Sequence, residues 1–452
     1  MKVIFITPAA DIRRNPFYRF GGNAYGHKNN ITGPLILGHI LKNSGCDVEC
    51  YEELYVDLDY SKMSNADVIC IYTMTCNSKR AYEIGDFFRN ELKKRVLIGG
   101  MHASAMPEEA LLHADQVIVG EAENVIEDVV SGKIKDKIVY GSPVEDLNKI
   151  PFPDYTLLKT PAKAANVITS RGCPFSCNFC TTSRMFHPYR TRTPDNVIKE
   201  LEIYKKEGFK YVNFEDDNFT ADKKRAKEIL RKMIDNSLVF KETFFFGRTD
   251  MANDEELLDL LSRAHLRRTL IGIESLNQDS LDYVNKRQSI KDIERCGEKL
   301  AKYKIKIIAS IVLGLDYDNV SDIDRSVKFC KDINAYQLQP AILTPFPGTP
   351  VFDQFEKEGR ILTKEWEYYD MTNVVFKPLK ISPSGLQKEF FKAAKSFYSF
   401  SGALKILKTF GFDAGVRRLA FWFFTRFGVK YFNHLSKENN GNLFYRLGHS
   451  FQ

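Results

Sequence analysis

Cysteine is scarce in this chain. Nine in 452 residues exclude a small disulfide-stapled scaffold. Long apolar runs are missing too. No stretch approaches the ~18 residues that a membrane-spanning helix needs. The opening MKVIFITPAA is too briefly apolar for a secretory signal and reads as a first strand. There is no internal repeat and no low-complexity tract. Excess charge of one sign is small: 65 Lys and Arg stand against 58 Asp and Glu, a net of +7. Disorder is excluded by a hydrophobic fraction of 44%. These absences leave a soluble, multi-domain protein, expected in the cytoplasm with reduced thiols. At roughly 150 residues per domain the length suggests about three domains.

Short apolar runs alternate with helical patterns over residues 1–140. Strands are expected at Val3–Ile6, Val68–Tyr72, Val96–Ile98 and Gln116–Val119, and helices at Pro34–Asn43 and Arg80–Lys94. That alternation predicts a doubly wound parallel sheet, whose ligands sit beyond the carboxyl ends of the strands. Residues 141–165 carry Pro143, Pro151, Pro153 and Pro161 and read as a linker. From 166 to 355 the alternation resumes. Strands are expected at Asn166–Thr169, Tyr211–Glu215, Thr243–Phe246, Arg268–Ile273, Lys306–Leu313 and Ala335–Leu343. Helices at Asn196–Lys206 and Asp222–Ile234 lie between them, the first opened by Thr193-Pro194. Six such units predict a partial (β/α)6 barrel with its functional residues at the strand ends. Residues 356–452 read as a helical region rich in aromatic and basic residues. The fold class is therefore α/β.

The densest chemical signal is Arg171-Gly172-Cys173-Pro174-Phe175-Ser176-Cys177-Asn178-Phe179-Cys180. It follows a predicted strand. Three thiolates at that spacing suit soft metal, and three can hold a [4Fe–4S] cluster with one iron open to a substrate. The alternatives are a zinc site with a distant fourth ligand, or three unrelated thiols.

The CxxxCxxC spacing, with an aromatic before its last Cys, resembles the signature of the radical S-adenosylmethionine (SAM) enzymes. The resemblance implies that Cys173, Cys177 and Cys180 ligate the cluster and that SAM chelates the fourth iron. It also implies reductive cleavage of SAM to a 5′-deoxyadenosyl radical that abstracts hydrogen from an unactivated carbon. Further segments match in chain order. Phe214-Glu215-Asp216-Asp217 resembles the strand-two motif near the SAM amino group. Arg248 ends the third strand. Gly272-Ile273-Glu274-Ser275 resembles the segment against ribose and methionine, and Ile311-Val312-Leu313-Gly314 the segment beside adenine. The resemblance thus implies a SAM site formed by Phe179, Glu215, Asp216, Arg248, Glu274, Ser275 and Val312. Leu343 to Pro350 resembles the closing segment of cobalamin-linked members.

The amino-terminal domain resembles the cobalamin-binding module found ahead of such barrels. The implied cobalamin contacts are Thr73 and Thr75 after the third strand, Gly99, Gly100 and His102 after the fourth, and Gly120 and Glu121 after the fifth. The Asp-x-His-x-x-Gly signature of a histidine-ligated cobalt is absent. The loop where it would stand reads Thr7-Pro8-Ala9-Ala10-Asp11-Ile12-Arg13-Arg14-Asn15. The alternative is a Rossmann-like domain that only closes the barrel. Gly21, Gly22 and Gly26 do not form a dinucleotide fingerprint, because no strand immediately precedes them.

The other six cysteines make no second cluster motif. Cys70 and Cys330 read as core residues. In residues 403–452, eight Lys and Arg oppose only Asp413 and Glu438. Ala420, Phe424, Phe427, Tyr431 and Leu435 would share one helical face, with Arg418, Arg426 and Lys430 opposite. That pattern fits a peripheral contact with the inner membrane face, or packing on the barrel with the basic residues solvated. Nucleic acid is not expected, since no recognition motif accompanies the charge.

Together these features predict a radical SAM enzyme with a [4Fe–4S] cluster, SAM and cobalamin. The expected reaction is methylation of an unactivated carbon in a hydrophobic or lipid-like small molecule, with flavodoxin or ferredoxin as electron donor. The alternatives are radical cyclisation, oxidation or rearrangement, and a non-catalytic cobalamin or SAM sensor.

Overall fold

The computed structural model describes residues 1–10 and 31–428. The chain divides into two compact units: Met1–Pro174 with Thr181–Asp217, and Phe175–Cys180 with the chain from Asn218 on.

The first unit holds a six-stranded sheet of β1 (Lys2–Thr7), β2 (Asp47–Glu52), β3 (Val68–Tyr72), β4 (Arg95–Gly99), β5 (Gln116–Val119) and β6 (Ile138–Tyr140), in the order β2-β1-β3-β4-β5-β6. Every pairing is parallel. Val3 to Ile6 are buried on both faces, because helices cover both sides of a doubly wound sheet. Two apolar clusters result. Ile4, Ile69, Ile98 and Val117 face one helical layer, and Val3, Phe5, Leu97 and Ile118 the other. Helices α1 (Thr32–Asn43) and α2 (Ser78–Asn90) are among those layers. The strand order reverses between β1 and β3. That reversal opens a crevice at the carboxyl ends, where such sheets bind ligands.

The linker is tied down rather than extended. It forms single 3₁₀ turns at Leu147–Lys149 and Tyr155–Leu157, capped by Asp146 and Asp154. Lys42 of α1 donates to Asp154 at 2.7 Å, and His39 Nδ1 lies 2.7 Å from the Phe152 carbonyl. The unit then adds β7 (Ala164–Val167), parallel to β10 (Tyr211–Phe214). The short antiparallel strands β8 (Ser170–Arg171) and β9 (Arg190–Thr191) bracket the cysteine segment in sequence. Helix α3 (Pro194–Lys206) begins as expected: Thr193 caps it by accepting from the Asn196 N–H, with Pro194 in the first turn.

The second unit carries β11 (Glu242–Gly247), β12 (Arg268–Glu274), β13 (Lys306–Leu313) and β14 (Gln337–Ile342), each parallel to the next. With β7 and β10 these are the six strands of the expected partial (β/α)6 barrel. Beyond them, after a short helix at Pro350–Lys357, come α4 (Pro383–Phe397), α5 (Phe400–Phe410) and α6 (Phe412–Phe423).

Helix α6 corrects one expectation. Arg418 is not on a solvated face. It is buried, donates to the carbonyls of Tyr336 (2.9 Å) and Phe397 (3.2 Å), and stacks 3.8 Å over the Phe397 ring. Arg426 likewise donates to the Tyr398 carbonyl at 2.7 Å. A guanidinium with planar donors can satisfy buried carbonyls and aromatic faces together, which helical spacing alone does not reveal. Lys430, Tyr431 and Leu435 of the expected tail face lie outside the described residues. No helix among the described residues is long and apolar enough to cross a membrane.

Candidate functional site

In the first unit, the carboxyl ends of the sheet strands and of the first barrel strands open on one cavity of about 300 Å³. The sheet side supplies Tyr72, Gly99, Gly100, Met101, Gly120 and Glu121, and α1 supplies Thr32 and Gly33. The barrel side supplies Ser170, Arg171, Glu215 and Asp217. Gly100 has a φ of +105°, and a Cβ there would lie 2.6 Å from the Thr73 carbonyl oxygen. Only glycine lets the β4 loop close over the β3 loop at that point.

The carboxylates beyond β10 alternate in direction, as a continuing strand requires. Asp216 is fully buried and accepts from Thr169 Oγ1 at 2.9 Å and from Ser170 Oγ. Glu215 and Asp217 line the cavity instead. Glu215 accepts from Thr32 Oγ1 at 3.3 Å. Burial pushes the Asp217 carboxyl up to about 7, and the neighbouring Asp216 adds to the rise. Thr182 and the Gly172 N–H donate to it. Glu52, at the end of β2, accepts from the Ile31 N–H at 2.9 Å. Burial raises its carboxyl to about 8, with Glu215 contributing. Of the carboxyls that line the cavity, Asp217 is thus poised to change charge near neutral pH.

Arginines tie the cavity rim together. Arg171, two residues before Cys173, lies 2.9 Å from Glu121 and also pairs with Glu123. Arg190 pairs with Glu121 and donates to the Val144 carbonyl at 2.6 Å. Burial works against charge on Glu121, yet Arg190 and Arg171 hold its pKa below the usual carboxylate value. Glu121 is thus committed to the protein.

The cavity wall does not include Thr73, Thr75 or His102. Thr73 is fully buried and bonds the Gly99 carbonyl and the Ala103 N–H. Thr75 opens the turn before α2. His102 is buried beside Tyr82, with Nε2 3.3 Å from Glu109. The loop backbone, and not these side chains, faces the cavity at β4. Among the described residues, no histidine lines it.

In the second unit, the segment Phe175–Cys180 is pinned to the turn after Tyr283. Asn178 donates its N–H to the Val284 carbonyl at 3.1 Å and its Nδ2 to the Tyr283 carbonyl at 2.9 Å. Asn285 Nδ2 donates to the Ser176 carbonyl at 3.0 Å. Cys177 is buried, which raises its thiol, while Lys286 and Arg248 act in the opposite direction. Arg248 stacks 3.7 Å over the Phe175 ring and donates to the Lys286 carbonyl at 2.6 Å. Its Nε is buried with no hydrogen-bond partner.

Glu274 closes β12 with a φ of +62°, at a register shift against β13. Its carboxylate meets the Lys286 ammonium at 2.5 Å. Gln288 holds the strand end by donating to the Gly272 and Ile273 carbonyls. Ser275 donates to Asp318 at 3.0 Å, and burial raises the Asp318 carboxyl to about 6. Val312 is buried in β13. Among the expected SAM residues, Arg248 and Glu274 are thus brought to one another through Lys286. Lys286 was not legible in the sequence. The strand alternation at 214–217 would have singled out Asp217.

All nine cysteines are free of disulfides. Among the described residues, no three His, Cys, Asp or Glu side chains converge as they would on a single metal ion. A four-iron cluster takes its thiolates on separate irons, so it does not need that convergence. Three thiols within eight positions, none of them in a disulfide, and Arg248 with an Nε that makes no hydrogen bond, fit a cluster with a polar ligand next to it. The glycine-lined cavity fits a bulky ligand approached by backbone.

Comparison with known proteins agrees with both halves of this picture. Residues 167–330 match the Radical SAM superfamily, and residues 32–130 match the B12 binding domain. The chain is 30% identical, over 82% of its length and 83% of the relative's, to a bacteriochlorophyllide d C-12(1)-methyltransferase of Chlorobaculum tepidum. It is 26% identical, over 62% of its length and 56% of the relative's, to an anaerobic magnesium-protoporphyrin IX monomethyl ester cyclase of Rubrivivax gelatinosus. Its fold is similar to that of the cobalamin-dependent SAM radical enzyme OxsB solved with aqua-cobalamin bound. The TM-score is 0.67 at 13% identity, over 90% of this chain and 68% of the other.

Proposed function

This chain belongs to the radical SAM superfamily, among the members that carry a B12 binding domain, and on that premise we propose that it methylates an unactivated carbon of a largely apolar small molecule. It is an enzyme whose cofactors are a [4Fe–4S] cluster, S-adenosylmethionine and cobalamin. When bound, these supply SAM cleavage, hydrogen abstraction and a transferable methyl group. One observation carries the reading. A single cavity is walled both by the sheet loops of the B12 binding domain and by the first barrel strand ends.

The residues divide the work. Cys173, Cys177 and Cys180 are the cluster ligands in this proposal. Arg248, Glu274 and Lys286 orient SAM. Lys286 and Arg248 would attract its carboxylate, and Glu274 would accept from its hydroxyl or amino groups. Gly99, Gly100 and Gly120 allow backbone contact with cobalamin. Asp217, whose carboxyl burial raises to about 7, can exchange a proton near neutral pH and so donate or accept in the cavity. The reading is supported by the similarity to the bacteriochlorophyllide d methyltransferase named above. Radical cyclisation remains the second reading, favoured by the similarity to the cyclase. The thiol-ligated cluster calls for the reducing cytoplasm and for a flavodoxin or ferredoxin as donor.

Anaerobic reconstitution with SAM, a reductant and cobalamin free of a methyl ligand tests the reaction. Candidate substrates are incubated with methyl-labelled SAM and read by mass spectrometry. A product heavier by one labelled methyl group, formed with 5′-deoxyadenosine, is expected. 5′-Deoxyadenosine with an unmethylated, ring-closed product would establish cyclisation instead.

A further inference from the structure

Exposed apolar side chains cluster at one place in the second unit. Phe400 and Leu404 stand one turn apart on α5, and Phe412, Val416 and Phe423 recur at intervals of four and seven on α6. Phe412 is 77% exposed and Phe423 60%. These spacings put one apolar stripe on the solvent side of each helix. The inner sides are already used. Ala403, Ile406 and Ala414 are buried, and Arg418 is spent on two carbonyls. Contiguous exposed apolar surface of this kind marks a contact site.

The carboxyl end of α5 borders a cleft of about 300 Å³, through Thr409 and Phe410. Five cations line that cleft, Lys241, Arg267, Arg268, Lys304 and Lys306, against one carboxylate, Glu242. Glu242 is engaged by Arg268 at 2.6 Å. Burial, with the charges of Arg268 and Arg417, pulls the Lys306 ammonium below its usual pKa. Like charges therefore outnumber the carboxylate of the cleft, and the field there favours an anion. Lys405 and Lys408 add two exposed cations on α5. The nearby Asp413 is paired with Arg417 at 3.3 Å.

We propose that α5, α6 and the basic cleft form a docking surface for an anionic phospholipid bilayer, with the aromatic side chains entering the interface and the cations meeting lipid phosphates. Such an interface offers an anionic layer directly over an apolar one, which matches this juxtaposition of cations and exposed rings. Neither helix is long enough to span, so the protein lies on the surface. The proposal is independent of the reaction proposed above.

Cosedimentation of the full chain with vesicles tests it. Binding to phosphatidylglycerol-containing vesicles is expected to exceed binding to pure phosphatidylcholine by about tenfold or more, and to weaken with salt. Phe412→Ser with Phe423→Ser should reduce that binding about tenfold. Arg267→Glu with Lys304→Glu should remove the preference for the anionic lipid. Both pairs are exposed, and unchanged melting temperatures would show that folding is intact. Equal binding to both vesicle types, or binding indifferent to both double variants, overturns the proposal. So does concentration-dependent self-association that the phenylalanine variants abolish, which would assign the face to a second copy of the chain.

Discussion

Lys286 Nζ lies 2.5 Å from Glu274 Oε1, and both side chains are buried. The pair is made by backbone that ordinary strands avoid. Glu274 has a φ of +62°, and the residues flanking Lys286, Asn285 and Arg287, have φ of +54° and +51°. Strain of this kind is held where the surroundings over-determine it, and such places are often functional. Gly272 leaves room for the pair, since a Cβ there would meet both Glu274 Oε1 and Lys286 Nζ.

Lys286→Met should therefore do more than weaken the fold. Removing one member of a buried pair costs about 3–5 kcal/mol, because the other charge is left stranded. Lys286→Arg should retain the charge and most of the stability. If Lys286 also orients SAM, the arginine variant still raises the KM for SAM in 5′-deoxyadenosine formation. A Lys286→Arg enzyme with unchanged KM would leave the residue a purely structural partner of Glu274.

Each of Cys173→Ser, Cys177→Ser and Cys180→Ser should abolish the reconstituted cluster. Iron content and visible absorbance should fall to background, and SAM cleavage with them. Cys46→Ala should retain both, since that residue belongs to no cluster motif. Full iron content in any of the three serine variants would remove that cysteine from the ligand set.

Much of this arrangement was legible from the sequence, and the misses have physical causes. The expected strands at 68–72, 116–119 and 306–313 coincide with β3, β5 and β13, because strands buried on both faces are nearly continuous apolar runs. β2 escaped because the six residues of DVECYE carry three carboxylates: it is an edge strand whose outward positions are Asp47, Glu49 and Tyr51, and Glu52 is buried at its end. Arg418 was placed on the wrong side because helical spacing treats every arginine as solvated. Lys286 sits in a turn twelve positions beyond Glu274, where no period connects them. Asp217 was within reach, since alternation past Phe214 sends Glu215 and Asp217 one way and Asp216 the other.

Glu52 gives a pH dependence with a definite sign. Its ordinary value is 4.5, and burial raises it to about 8 in the folded protein. The folded state thus holds this proton more tightly than the unfolded state does. Its contribution to stability is complete below about 4.5 and is lost as pH rises through about 8. Glu52→Gln keeps an acceptor for the Ile31 N–H and cannot ionise. The denaturation midpoint of the variant should fall less between pH 5 and pH 8 than that of the parent protein. Identical pH slopes would show that Glu52 does not carry this proton in the folded state.

Gly33 offers a way to separate the cavity from the fold. It lines the cavity from the first turn of α1, and a Cβ there would meet nothing within 4 Å. Replacing glycine within a helix removes a backbone-entropy cost of up to about 1 kcal/mol, so Gly33→Phe should fold at least as well as the parent. In the function proposed above, its ring would project into the space taken by cobalamin. Corrinoid absorbance after loading and desalting should then fall well below stoichiometric. Iron content should be unchanged, because the cysteine segment is untouched. Undiminished corrinoid at an unchanged melting temperature would place cobalamin outside this cavity, even though the chain carries the domain that binds it.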